Sequence, residues 1–254
     1  MEEWRLLLTG AKDAFTNMAI DESVLRSLVN ENSKNTIRLY QWVSSTVSIG
    51  YFQGIEEEVD LRTCKEKKVD VVRRITGGGA VFHDYNGEIT YSVAVNESHP
   101  KMPKDIIKSS RVLCSGLVNG FKILGLNAEF IPINDIVVNN KKISGSAHTR
   151  RFGGILQHGT ILYDVNPKLM FSLLKVPNEK IRDKMIKNVE ERVTSIKKEK
   201  GNIDKEDVID AMIKGFESAL DIKLVKGELT QEELRVAEEL RSDKYGTKEW
   251  NFKR

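Results

Sequence analysis

The densest cluster of unusual residues is Arg73-Arg74-Ile75-Thr76-Gly77-Gly78-Gly79-Ala80-Val81-Phe82-His83-Asp84. Each glycine in a folded segment costs up to about 1 kcal/mol relative to alanine, so three in a row imply a positive φ or a group pressed against the main chain. Exposed backbone N–H groups in such a loop make a concave anion site, and flanking arginines add charge suited to phosphate. Gly-Gly-Gly by itself describes an ordinary hairpin turn equally well. The Arg-Arg before it and the His-Asp after it tilt the reading toward phosphate. No Gly-Lys-Ser/Thr follows, so this is not a P-loop, and the G-x-G-x-x-G dinucleotide spacing is absent.

A second cluster joins Asn134-Asp135-Ile136-Val137-Val138 to Lys141-Lys142-Ile143-Ser144-Gly145-Ser146-Ala147. A carboxylate at a strand start suits Mg²⁺, which takes one or two carboxylates plus phosphate oxygens, and a nearby lysine could balance the same phosphates. In isolation the commoner reading is a hairpin turning at Asn139-Asn140 with solvated lysines at its mouth. The small residues Ser144 to Ala147 allow close approach by a ligand or a neighbouring strand. Third, His158 and Gly159 interrupt an apolar run from Leu156 to Leu162. No second histidine or carboxylate stands at metal-ligand spacing from His158, which argues against zinc.

The elements that must position these residues read as mixed α/β architecture, with β-sheets packed by helices. Strands are predicted at Trp4 to Leu8, around Ile37 to Leu39, at Thr46 to Tyr51, Val69 to Arg74 and Ile89 to Val95. The glycine loop thus lies between two strands. A first helix spans about Asp13 to Val29, and a short one follows near Val59 to Lys67. A long helix opens at Pro103, buries Ile106, Ile107, Leu113, Leu117, Phe121 and Leu124, and ends at Gly125. Extended segments follow at Ala128 to Ile133, Asp135 to Val138, Lys142 to Ala147 and Ile155 to Tyr163. From about residue 166 the pattern is mainly helical: Lys168 to Leu174, Asp204 to Leu220, and Gln231 to Leu240, the last opened by a Thr230/Glu233 capping box. With no repeat or linker composition, residues 1–254 read as one domain.

Composition removes several classes. Forty Lys and Arg against 37 Asp and Glu give a formal charge of +3, too small for a dedicated nucleic-acid binder. Two cysteines, Cys64 and Cys114, cannot form a secreted disulfide framework. No apolar run could cross a bilayer, and the acidic start is unlike a signal peptide, so a cytoplasmic location is expected.

In this order, the clusters resemble the lipoate-protein ligase A family. The resemblance is carried by Asn17-Met18-Ala19-Ile20-Asp21-Glu22, Ile49-Gly50-Tyr51-Phe52-Gln53, Arg73 to Asp84, Asn134-Asp135, Lys142 to Ala147 and His158-Gly159-Thr160. Arg192-Val193-Thr194-Ser195 and Glu249-Trp250-Asn251 extend it. The related biotin ligases share the fold type, but their Gly-Arg signature is absent. The resemblance implies a biotin/lipoate ligase-like catalytic domain that converts lipoate and MgATP to lipoyl-AMP, then passes the lipoyl group to an acceptor lysine. It gives Lys142 the central catalytic role. It assigns Arg73, Gly77, Gly78, Gly79, Ala80 and Val81 to the adenylate, Asp135 to Mg²⁺ and Asn134 to adenine. His83, Ala147 and His158 line the pocket.

The implied acceptors are lipoyl domains, such as those of 2-oxo acid dehydrogenase acyltransferase subunits and the glycine cleavage H protein. Complete family members carry a further small domain, so a separate accessory subunit is expected for activation. The rival reading is an octanoyl or lipoyl transferase of the same fold acting through a cysteine thioester. That route needs a thiol in the pocket, and Cys64 and Cys114 both fall on predicted helices away from the motif loops. A non-catalytic acyl-adenylate binder is the third reading.

Overall fold

Apolar residues fall at period two on strands and near 3.6 on helices, and this division builds two sheets with helices packed on them. The computed structural model describes residues 1–29, 34–175 and 179–253. The first third holds β1 (Glu2–Lys12), α1 (Ala14–Ser27), β2 (Thr36–Trp42), β3 (Thr46–Ile49), α2 (Ile55–Glu58), α3 (Leu61–Glu66), β4 (Asp70–Arg73), β5 (Val81–His83) and β6 (Glu88–Asn96). Helix α4 (Ile106–Ile123) leads into β7 (Ala128–Ile131), β8 (Asp135–Val138), β9 (Lys141–Arg151) and β10 (Gly154–Leu162). The rest comprises α5 (Pro167–Leu173), α6 (Glu179–Arg192), α7 (Ile196–Lys200), α8 (Lys205–Leu220), β11 (Ile222–Lys226), α9 (Gln231–Leu240), a π-helical turn (Arg241–Tyr245) and α10 (Lys248–Asn251).

Eight strands form one sheet in the order β11-β1-β2-β6-β10-β9-β8-β7, and β4-β3-β5 form a second. In the large sheet β1 runs parallel to both β2 and β11, and β2, β6, β10, β9, β8 and β7 are successively antiparallel. Side-chain alternation sorts its two faces. Ile37 and Leu39 of β2, Tyr91 and Val93 of β6, and Ile155 and Ile161 of β10 join α4 and α8 in one apolar core. Tyr40 and Trp42, Ala94 and Leu156 point the other way, toward α1 and α9. A third core under the small sheet gathers Val47, Ile49, Cys64 and Leu173.

Several boundaries depart from the sequence pattern. The long helix is capped by Asp105, whose side chain accepts from Lys108 N, so Pro103 lies outside it. Ile106 and Ile107 are consequently exposed. Strand β5 and helix α6 were not expected. Within the region read as helical, β11 adds a parallel strand at the edge of the large sheet against β1. The Thr230/Glu233 capping box is present. Asn139 and Asn140 turn the β8–β9 hairpin with φ of 51° and 59°, the left-handed pair that a two-residue hairpin loop requires.

Candidate functional site

The polar positions of the large sheet converge on one face. Where β2, β6 and β10 turn their alternate residues toward α1, they present Tyr40 and Trp42, Glu88 and Thr90, and His158 and Thr160 as the floor of a cavity of about 360 Å³. That volume lies within the range of small-molecule sites. Asp21 of α1 is buried beneath this floor, where it accepts hydrogen bonds from Arg38 Nη1 (2.8 Å), Ser92 Oγ (2.8 Å), Tyr40 OH (3.1 Å) and His158 Nδ1 (3.0 Å). Burial works against its charge, but the Arg38 guanidinium and the donated hydrogen bonds hold its carboxyl below the usual range. Burial pushes His158 below its ordinary value, partly offset by Asp21. A neutral imidazole with its Nδ1 proton on Asp21 leaves Nε2 to accept from Thr76 Oγ at 2.7 Å.

The small sheet and the glycine loop form the wall opposite. On β3, Val47 and Ile49 enter the third core, so Thr46 and Ser48 face the large sheet. On β5, pairing of Ser48 with Val81 and of Thr46 with His83 brings the His83 ring diagonally onto Ser48. His83 Nε2 is 2.8 Å from Ser48 Oγ, and Nδ1 is 2.8 Å from Glu88 Oε1. The ring stacks on Trp42 with centroids 4.4 Å apart.

Arg74 organises the loop itself. Its Nη2 donates to the carbonyls of Gly77 and Gly79, each at 2.7 Å, and its Nη1 donates to Ser48 Oγ at 3.1 Å. Desolvation lowers its pKa only to about 10, so it remains charged at neutral pH. Gly78 takes φ of +90°, and a Cβ on Gly50 would sit 2.0 Å from the Gly78 carbonyl oxygen. The glycine of Ile49-Gly50-Tyr51 is therefore what lets the loop close onto β3.

Lys142 enters from the third side. A Cβ on Gly145 would meet Lys142 Cε and Nζ at 2.7 Å, so the missing side chain is the groove along which the lysine lies. Its ammonium pairs with Asp135 Oδ1 at 2.7 Å. Asn134 Nδ2 donates to the Ser146 carbonyl.

Of the residues singled out in the sequence, Gly78, Gly79, Ala80, Val81, His83, Asn134, Lys142, Ala147 and His158 line the cavity, whereas Arg73, Gly77 and Asp135 do not. Arg73 is buried, with its guanidinium donating to the carbonyls of Gly50, Tyr51, Gln53, Trp250 and Asn251. The cavity-facing arginine is its neighbour, Arg74. Ser48, Glu88, Thr90 and Trp42 also line the cavity and were not singled out. They sit in plain strand sequences, and only sheet register brings them together. Neither cysteine lines it. Cys64 belongs to the third core, where burial raises its thiol to about 11. Cys114 lies behind Ser146, 3.6 Å away, with its thiol pushed up by burial.

The family model for the lipoyl protein ligase A/B catalytic domain matches residues 13–217. The chain belongs to this family. Over the whole of both chains it is 39% identical to octanoyltransferase LipM of Brevibacillus brevis. It is 37% identical to octanoyltransferase LipM of Bacillus subtilis, covering 100% of this chain and 99% of that one. Among solved structures, a bi-partite lipoate protein ligase of Thermoplasma acidophilum, studied with its E2 lipoyl domain, superposes with a TM-score of 0.91 at 36% identity. That match covers 99% of this chain and 97% of the other. A lipoate-protein ligase A bound with ATP superposes with a TM-score of 0.85 at 34% identity, covering 99% of each chain.

These relatives bear out the family and the mixed α/β fold, and correct the activity. The resemblance led to an ATP-dependent lipoate ligase, but the curated relatives matched end to end are octanoyltransferases. The lipoyl-AMP intermediate, the roles given to ATP and Mg²⁺, and the accessory subunit for activation rested on the ligase reading, and these octanoyltransferases lend them no support. Among the described residues no group of three or more His, Cys, Asp or Glu gathers into a metal site, and no helix is long and apolar enough to cross a membrane.

Proposed function

We propose that the protein is an acyltransferase that moves an octanoyl group from a carrier-bound thioester to the side-chain amine of a lysine on a lipoyl domain. The observation that carries this reading is the end-to-end match to octanoyltransferases at 39% identity. The cavity suits the substrate. Met18, Tyr40 and Trp42 offer an apolar lining for a medium acyl chain, and Lys142 places a cation at the polar side. A cation there stabilises the oxyanion that forms when a thioester carbonyl is attacked, an effect typically about 10²–10³ in rate for one donor. A lipoyl domain is the acceptor because the Thermoplasma relative was studied with one.

The test supplies octanoylated acyl carrier protein and a lipoyl domain without ATP, and follows the mass of the domain. The expected result is one octanoyl group on one lysine, formed about 10²–10³-fold more slowly by Lys142→Ala. Modification that demanded ATP and free octanoate would overturn the assignment.

A further inference from the structure

Two segments that carry the family resemblance line no part of the cavity. Tyr51-Phe52-Gln53 and Glu249-Trp250-Asn251 meet beside it, with the Tyr51 and Trp250 ring centroids 5.9 Å apart. Tyr51 N donates to the Thr76 carbonyl at 2.9 Å, so these rings adjoin the glycine loop.

Four cations gather around them. Lys253 Nζ lies 3.4 Å from the Tyr51 centroid and 3.9 Å from that of Trp250. Lys244 Nζ lies 4.1 Å from the Trp250 centroid, and the Arg151 guanidinium 4.3 Å from that of Tyr51. Arg26 joins the group by sharing the buried Glu22 carboxylate with Lys244. Among the described residues Glu22 is the only carboxylate paired with any of the four, and Arg151 and Lys253 have none. Burial lowers the pKa of both lysines. Arg26 and Arg151 deepen the fall at Lys244 against the pull of Glu22, and Arg73 and Lys244 do so at Lys253 against that of Tyr51. Cations crowded in this way are relieved by a bound anion. Exposed Phe52, packed on Tyr51, and exposed Phe152, under Arg26, border the cluster with apolar surface.

Strand β9 connects this surface to the cavity. Ser146, His148 and Arg150 turn toward α4, where they meet Cys114, Ser110 and Ser109. Gly145, Ala147, Thr149 and Arg151 therefore share the opposite face, and all four are part-exposed. The first two line the cavity, and the Lys142 ammonium lies against Gly145. From Gly145 to Arg151 the strand rises about 20 Å.

On the acyltransferase reading, we propose that Arg151, Lys244 and Lys253 receive the acidic carrier protein that delivers the octanoyl group, holding the phosphodiester at the root of the arm on which the thioester hangs. With the acyl chain in the cavity and its carbonyl at Lys142, the arm runs past Ala147 and Thr149. An extended pantetheine arm spans that distance, which brings its phosphate to the cations. Arg and Lys give a phosphodiester charge-assisted hydrogen bonds, and the exposed rings offer the carrier an apolar contact. A lipoyl domain presents a bare lysine without a phosphate, so the patch suits the donor and not the acceptor.

The test measures transfer to a lipoyl domain by the full chain and by an Arg151→Glu/Lys253→Glu variant. Three donors are compared: octanoylated acyl carrier protein, octanoyl-phosphopantetheine, and octanoyl-pantetheine, which keeps the thioester without phosphate or protein. The expected result is a KM for the carrier raised at least about tenfold in the variant, a smaller rise for octanoyl-phosphopantetheine, and a KM for octanoyl-pantetheine near wild type. Salt should raise the wild-type KM for the carrier and have little effect in the variant. Arg151→Lys/Lys253→Arg, which keeps both charges, should leave the KM for the carrier near wild type. A variant that loses all three donors equally, a KM for the carrier that does not change, a phosphorylated donor as indifferent as the bare one, or a raised KM for the lipoyl domain in place of the carrier overturns the proposal while the acyltransferase reading stands. Failure of the wild type to modify the domain from any thioester overturns both.

Discussion

At the scale of single residues, the site's imidazoles are held by partners from distant parts of the chain. The relevant partners lie far apart in the chain: Ser48 and His83 are separated by 35 residues, Thr76 and His158 by 82, and Asp21 and His158 by 137. His148, on β9, has no acidic partner among the described residues and instead lies beside Ser110 and Gln157. Burial lowers its pKa to about 4, with Gln157 pulling weakly upward and Arg150 adding to the fall. The sign of the stability effect follows. Below the ordinary histidine value of 6.5 the unfolded chain binds a proton that the folded chain refuses until about pH 4, so folding loses free energy as pH falls across that window. Urea unfolding midpoints should therefore drop between pH 7 and pH 5, before most carboxylates titrate, and His148→Gln should flatten that part of the curve. A profile unchanged by the substitution would remove His148 as the cause.

At the scale of elements, close approach of backbones sets the geometry. Helices α4 and α8 cross where a Cβ on Gly215 would stand 2.3 Å from Gly120 N and 2.4 Å from the Gly116 carbonyl oxygen. Gly215→Ala must separate the helices. Overpacking of this kind costs about 1–3 kcal/mol, and for a chain of this size each kcal/mol lowers Tm by roughly 2–4 °C. The melting temperature should fall accordingly while KM for the proposed octanoyl thioester donor stays near the wild-type value, because the crossing lies on the far face of the sheet from the cavity.

Much of this scaffold was legible in the sequence. Helix α9 followed from its capping box, the β8–β9 hairpin from Asn139-Asn140, and the importance of the 76–80 loop from the cost of its glycines. Other parts were hidden for physical reasons. Strand β5 has only three residues and no period to read. Strand β11 alternates Ile222, Leu224 and Lys226 over a span too short to stand out between two helices. The arginine that reaches the cavity could not be told from its neighbour. Strand alternation sends Arg73 and Arg74 to opposite sides, and only the packed sheets say which side is the cavity.

At the scale of the whole molecule, the C-terminal third is tied to the first strand. Arg5 pairs with Glu233 through two contacts, at 2.5 and 2.8 Å, and Ser27 Oγ donates to the same carboxylate. The Glu233 side chain is 1% exposed and that of Arg5 13%. Removing one partner of a buried pair leaves the other charged and unsatisfied, at a cost of about 3–5 kcal/mol. Glu233→Ala should lower global stability by that order in equilibrium denaturation. A loss below about 1 kcal/mol would show that water readily replaces the contact. Burial opposes the charge of Glu233, but Arg5 and the Thr230 main chain keep its carboxyl below the ordinary value. Its contribution is therefore present above about pH 4.5 and lost on further acidification.

The last helix also reaches back to the strand that feeds the glycine loop. Asn251 Oδ1 accepts from Arg73 N at 2.7 Å, and Trp250 Nε1 donates to the Arg73 carbonyl at 2.8 Å. One short helix thus holds both the N–H and the carbonyl of the residue that precedes Arg74. Trp250→Ala, which leaves the cavity lining untouched, should therefore loosen the loop from a distance, read as faster amide hydrogen exchange at residues 74–79.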